Sequence, residues 1–83
     1  MSQTIDNQLK ELLIDRLFLD YSPAEIDADT ALVEYGVDSF LLQELIVGVE
    51  EAFGLQFQPS DYSAETLHSV ASVRKWILAR QSV

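Results

Sequence analysis

EYGVDSFLLQELIVGVEEAFG, residues 34–54, holds a turn, a helix and a helix stop in one stretch. Gly36 closes the turn, Asp38 and Ser39 are both residue types that cap helix N-termini, and Gly54 suits a left-handed C-cap. Between these signals Leu42, Leu45, Ile46, Val49 and Phe53 recur at the spacing of one helix face. The spacing predicts a helix over Ser39–Phe53 with that face in the core. Each such side chain contributes roughly 1.5–3 kcal/mol when buried. The opposite side carries a single row, Phe40, Glu44, Val47 and Glu51, with Leu41 at its flank. Isolated exposed hydrophobes are ordinary. Two of them alternating with two carboxylates suit a docking surface better than a purely solvated face.

Upstream, Ile5, Leu9, Leu12, Leu13 and Leu17 line one side of a helix over about residues 4–19. Ser22, Pro23 and Glu25 fit the N-cap, N1 and N3 positions of a capping box, so SPAEI reads as one helical turn within a longer connection. Ile26, Leu32 and Tyr35 are the residues able to pin that connection to the core. Downstream of Gly54 the chain is irregular, with Pro59 and Ser60 able to start a short turn. A last helix near residues 69–80 has Ser69 as its N-cap and Val70, Val73, Trp76 and Ile77 as its buried stripe. Arg74, Lys75 and Arg80 then lie toward its C-terminus, where cations oppose the helix dipole. Strand alternation is missing throughout. The expected fold is all-α: a small antiparallel bundle of three longer helices with one or two short ones, a single domain over residues 1–83.

Composition narrows the function. The chain has 83 residues, 48% of them hydrophobic, no cysteine, and a formal net charge of −9. That suffices for a core without disulfides or metal, and the protein itself supplies no thiolate. No apolar run reaches membrane-spanning length and the N-terminus lacks a secretory pattern, so a cytoplasmic protein is expected. All five basic residues (Lys10, Arg16, Arg74, Lys75, Arg80) lie toward the two ends, and the stretch Leu17–Val73 holds eleven acids and no Lys or Arg. Such a surface disfavours nucleic acid and anionic membrane and favours partners that carry basic patches.

Ser39 invites a catalytic reading, which the sequence rejects. Gly-Val-Asp-Ser-Phe is not the G-x-S-x-G elbow and no strand precedes it. The single histidine, His68, is expected to pack or cap at the start of the last helix, and a bundle this small lacks a water-excluding pocket. Metal fares no better. Asp27, Asp29 and Asp38 are spaced loosely like a calcium loop, but Leu32 stands where the sharp turn needs Gly and Asp38 where a Glu belongs. No metal site and no catalytic residue are expected. On the residues alone Ser39 is either a cap or a functional hydroxyl, and the two are compatible. A helix N-terminus offers free N–H groups and a positive dipole end, which favour a phosphodiester.

Leu32, Tyr35, Gly36, Asp38, Ser39 and Phe40 resemble the pattern apolar, Gly, any, Asp-Ser-Leu of the acyl carrier and peptidyl carrier protein family. IDADTAL before it, LQELIVGVEEAFG after it and LHSVASVRKWI near the end are similar to the family's loop, second helix and last helix. The resemblance covers almost the whole chain. It implies that Ser39 is esterified with 4′-phosphopantetheine from coenzyme A by a phosphopantetheinyl transferase, with Asp38 supporting the modification. It implies a non-catalytic carrier of acyl or aminoacyl thioesters, monomeric, whose partners dock on Phe40, Leu41, Glu44, Val47 and Glu51. Those partners would be an acyltransferase or adenylating loading enzyme and ketosynthase or condensation-type enzymes. Phe40 replaces the family's usual Leu, and Leu41 stands where fatty acid carriers often have an acid. Both departures point toward a specialised polyketide or nonribosomal peptide pathway, and Met1 with the lack of linkers toward a discrete protein. The rival reading is an acidic helical adaptor that binds a protein through the Phe40 row and carries nothing.

Overall fold

The computed structural model describes residues 2–81; Met1, on which the expectation of a discrete chain leans, lies outside them. Three α-helices carry the architecture: α1 (Ser2–Leu17), α2 (Ser39–Phe53) and α3 (Val70–Gln81). The described residues form no named strand, only an isolated bridge between Ala31 and Ser69. Arg16 reaches Glu44 and Glu51, whereas Gln8, Glu11 and Leu12 lie beside Ala52, so α1 and α2 run antiparallel. The core gathers Leu9, Leu13 and Leu17 of α1, Leu45, Ile46 and Val49 of α2, and Val70, Val73, Trp76 and Ile77 of α3. These, with Ile5, are the stripes the helical spacing predicts, with Leu12, Leu42 and Phe53 half-buried at their edges.

Two features around the first connection differ from expectation. α1 ends at Leu17 rather than near residue 19 because Phe18 adopts left-handed backbone at φ 57°. That conformation costs a non-glycine residue about 1–2 kcal/mol. It is offset by Leu17 and Leu19, which both reach the core while Phe18 projects into solvent. The connection to α2 holds two short 3-10 turns rather than one, Pro23–Glu25 and Leu32–Tyr35, and a third follows α2 at Pro59–Asp61. The first uses the expected chemistry, with the Ser22 N–H donating to Glu25 Oε1 at 2.8 Å. Ile26 and Leu32 are buried, and the Tyr35 hydroxyl accepts from the Asp27 N–H at 2.7 Å, so all three expected pins hold.

Ser69 caps α3 as its residue type predicts: its buried Oγ accepts from the Ser72 N–H at 3.2 Å. His68 departs from expectation. Its side chain is exposed, and only its carbonyl engages, accepting from the Leu32 N–H at 2.8 Å. Two of the three α3 cations, Arg74 and Arg80, make specific ion pairs rather than merely facing the helix dipole. Arg74 bonds Asp6 at 2.6 Å, and Arg80 Nη2 bonds both Asp61 carboxylate oxygens at 2.6 and 2.5 Å.

Asp61 also accepts from the Gln58 N–H at 2.8 Å, and that bond does most to hold its carboxyl below the ordinary value of 3.8; Arg80 adds to it, against partial desolvation. A depressed carboxylate stabilises the fold fully above its unfolded pKa and loses that contribution as pH falls through the folded value. Asp61→Asn is therefore expected to lower stability near neutral pH, with the gap to the native chain closing below about pH 4. Urea unfolding across a pH series measures that gap; a gap constant down to acid pH contradicts the assignment.

Candidate functional site

The N-terminus of α2 is set from both sides. Upstream, the turn Leu32–Tyr35 ends on Gly36 at φ 85°, a left-handed conformation natural to glycine, and Val37 then drops into the core. Downstream, the buried face of α2 fixes the helix axis. Between these anchors two residues compete to cap the helix, and Asp38 takes the role: its Oδ1 accepts from the Leu41 N–H at 2.9 Å. Ser39 becomes the first helical residue. Its side chain is exposed and its hydroxyl has no hydrogen-bond partner among the described residues. A free primary alcohol thus stands at the positive end of a helix dipole, beside the first-turn N–H groups.

The expected row lies on the outer side of α2. Phe40 is 70% exposed and Val47 39% exposed, while the Glu44 and Glu51 side chains are 46% and 63% exposed. Leu41 belongs to it only in part, because it is half-buried and packs against the core. The two acids are not bare. Arg16 of α1 reaches across, its Nη1 donating to Glu51 Oε1 at 2.8 Å and its Nε lying 4.0 Å from Glu44 Oε1. Periodicity within α2 has no means of finding this pairing; the available signal is that Arg16 is the last cation before the acid-only stretch. The consecutive acids Glu50 and Glu51 also divide. Glu50 turns inward to accept from the Phe57 N–H at 2.8 Å and tie the chain after α2, while Glu51 faces out.

Beside the start of α2 lies an open, largely apolar groove of about 410 Å3, lined by Leu32, Val33, Val37, Leu42, Tyr62 and Leu67 among others. Val33 and Tyr62 are exposed there, and neither stands out in the sequence as a site residue. Among the described residues no three His, Cys, Asp or Glu side chains gather as metal ligands. No described helix is long and apolar enough to cross a membrane.

Residues 7–75 match the family model for the phosphopantetheine attachment site. The acyl carrier protein of Chlamydia trachomatis serovar D is 34% identical over 80 residues, covering 95% of this chain and 99% of the relative. That of Solidesulfovibrio magneticus is 33% identical, covering 89% and 91%. The chain belongs to the acyl carrier protein family. Solved structures agree on the fold of this acyl carrier protein family member. Holo acyl carrier protein from Nitrosomonas europaea superposes at TM-score 0.82 with 22% identity, covering 98% of this chain and 99% of that one. A chain from the complex of an engineered Bradyrhizobium japonicum glycine:[carrier protein] ligase with carrier protein from Agrobacterium tumefaciens and ATP gives 0.80 with 21% identity, covering 90% and 97%. Membership makes the protein a non-catalytic carrier that works through covalently attached 4′-phosphopantetheine.

Proposed function

We propose that Ser39 carries the phosphopantetheine, and that the outer row of α2 docks the enzymes that load and unload the cargo. The observation that carries the attachment is the division of labour at the helix start. Asp38 caps α2, so the Ser39 hydroxyl is exposed and uncommitted. A phosphodiester fits there: it gains the free N–H groups of the first turn and the helix dipole, and the fold keeps its cap. When bound, the arm supplies a terminal thiol, the sulfur a cysteine-free chain lacks. The chain's own residues hold the attachment point still and present a recognition surface beside it. Asp38, fixed by its cap bond and adjacent to Ser39 in the chain, supports the transfer by positioning the transferase's metal-bound groups.

Coexpression with a broad-specificity phosphopantetheinyl transferase and intact-mass measurement tests this. A gain of one phosphopantetheine, mapped to Ser39, is expected. A phosphopantetheine mapped to any other residue overturns the assignment of Ser39.

The docking reading rests on exposure. Nothing in folding requires an aromatic at Phe40, yet it stands in solvent beside the proposed attachment point. We read it as the apolar anchor for partners, with Val47 behind it and the acids for basic residues. An anchor larger than the family's usual Leu supports a specialised set of loading and condensing enzymes, as in polyketide or nonribosomal peptide assembly, handling acyl or aminoacyl cargo. Phe40→Ala is expected to change stability by no more than about 0.5 kcal/mol. It should slow loading of the holo chain by its cognate acyltransferase or adenylating enzyme about tenfold, as loss of an interface anchor does. Denaturation and loading kinetics on one preparation decide the matter. Loading undiminished by the substitution removes Phe40 from the interface.

A further inference from the structure

We propose that Arg16 is a built-in occupant of the docking row, neutralising Glu51 and leaving Glu44 as the acid that receives a partner's cation. The inference rests on the docking reading above and adds to it which carboxylate is read, and why. α1 crosses α2 at Gly48, where a Cβ would lie 3.1 Å from Arg16 Cδ and 3.3 Å from Leu12 Cδ2. The missing side chain gives the Arg16 stem its path over α2. Its guanidinium then lies between the acid one turn before Gly48 and the acid one turn after it. The two contacts are unequal: a 2.8 Å charge-assisted hydrogen bond to Glu51, and a 4.0 Å approach to Glu44, too long for one. Arg16 is also held, with its side chain only 33% exposed.

A partner's Lys or Arg brought to Glu51 therefore meets a carboxylate already hydrogen-bonded to a like charge. At Glu44 it meets an acid with no hydrogen-bonded cation. Position adds to this. Glu44 is five residues past Ser39, about 7.5 Å along the axis, and Glu51 twelve residues, about 18 Å. Arg16 thus concentrates the negative potential of α2 at the end that holds the proposed attachment point. The partner it selects carries a cation in register with Glu44 and an apolar pocket for Phe40.

The test measures kcat/KM for phosphopantetheine transfer by a phosphopantetheinyl transferase at low and high salt. Glu44→Gln and Glu51→Gln are compared in the native chain and again with Arg16→Gln, a neutral change that keeps much of the stem. With Arg16 present, Glu44→Gln is expected to lower the low-salt rate about fivefold and Glu51→Gln less than about twofold. Arg16→Gln alone should raise the rate about two- to fivefold. In that background the effect of Glu51→Gln should grow toward that of Glu44→Gln, and high salt should shrink every difference. Equal effects of the two acids with Arg16 in place overturn the inference while leaving the docking reading intact. A slower Arg16→Gln chain also overturns it, since Arg16 would then be organising the face rather than occupying it. If neither acid matters in either background, the docking reading fails and this inference with it. Circular dichroism of each variant separates these results from loss of fold.

Discussion

Replacing Ser39 by alanine is expected to leave a folded chain that gains no mass when coexpressed with a phosphopantetheinyl transferase, where the native chain gains one phosphopantetheine. The loss should be complete, because on the proposed assignment the hydroxyl oxygen is the only atom that can form the ester. The effect on stability should be small, within about 0.5 kcal/mol. Removing an N-cap side chain typically costs about 0.5–2 kcal/mol. Here the cap is Asp38, whose bond to the Leu41 N–H is untouched by the substitution. Unfolding midpoint and intact mass on the same sample separate the two effects. An alanine variant that still gains the arm moves the attachment elsewhere. One that loses both arm and fold makes Ser39 a structural residue after all.

Trp76→Ala should have the largest effect on stability. The indole is buried in the core and stacks on Phe57 with ring centroids 3.9 Å apart, and the Arg80 guanidinium lies 5.3 Å from its centroid. Truncating such a side chain removes its burial and leaves a cavity, at a cost of about 3–5 kcal/mol. A domain of this size has only about 4–12 kcal/mol in total, at roughly 0.05–0.15 kcal/mol per residue. The midpoint of thermal unfolding should therefore fall by at least about 12 °C. Phe57 belongs to the irregular stretch after α2, so the stack, together with the Arg80–Asp61 pair, holds that stretch against α3. Where the variant remains folded, Ser39 should still accept phosphopantetheine, because α2 is set by Val37, Asp38 and its own buried face. A fall of only a few degrees would mean that the Phe57 segment closes over the gap.

The bounds of α2 were legible in the sequence because every signal for them is local. Asp38 and Gly54 act on amides and carbonyls within four residues, and the buried stripe recurs every three or four positions. The same holds for the Ser69 cap, the stripe of α3 and the turn at Ser22. The candidate site was legible for a related reason: the Gly-x-Asp-Ser pattern lies within four consecutive residues, and the exposed row follows from the angle per residue.

What the sequence left undecided needed either a choice between equals or a partner from far along the chain. Asp38 and Ser39 are both good caps; only the entry angle set by Gly36 and the buried Val37 gives the bond to Asp38 and frees the serine. Phe18 carries no helix-stop signal, and α1 ends there because Leu17 and Leu19 both find the core. Glu50 and Glu51 are one letter repeated, and the return of Phe57 separates a half-buried tie from an exposed acid. Arg16 meets Glu51 across 35 positions, and Arg74 meets Asp6 across 68. The sequence by itself thus determined where the helices run and which of their sides are apolar, since propensity, capping and periodicity act over a few residues. Which charges meet, which side chain caps α2, and hence how the face beside Ser39 is charged were decided by tertiary structure alone, because those contacts exist only once the helices have packed.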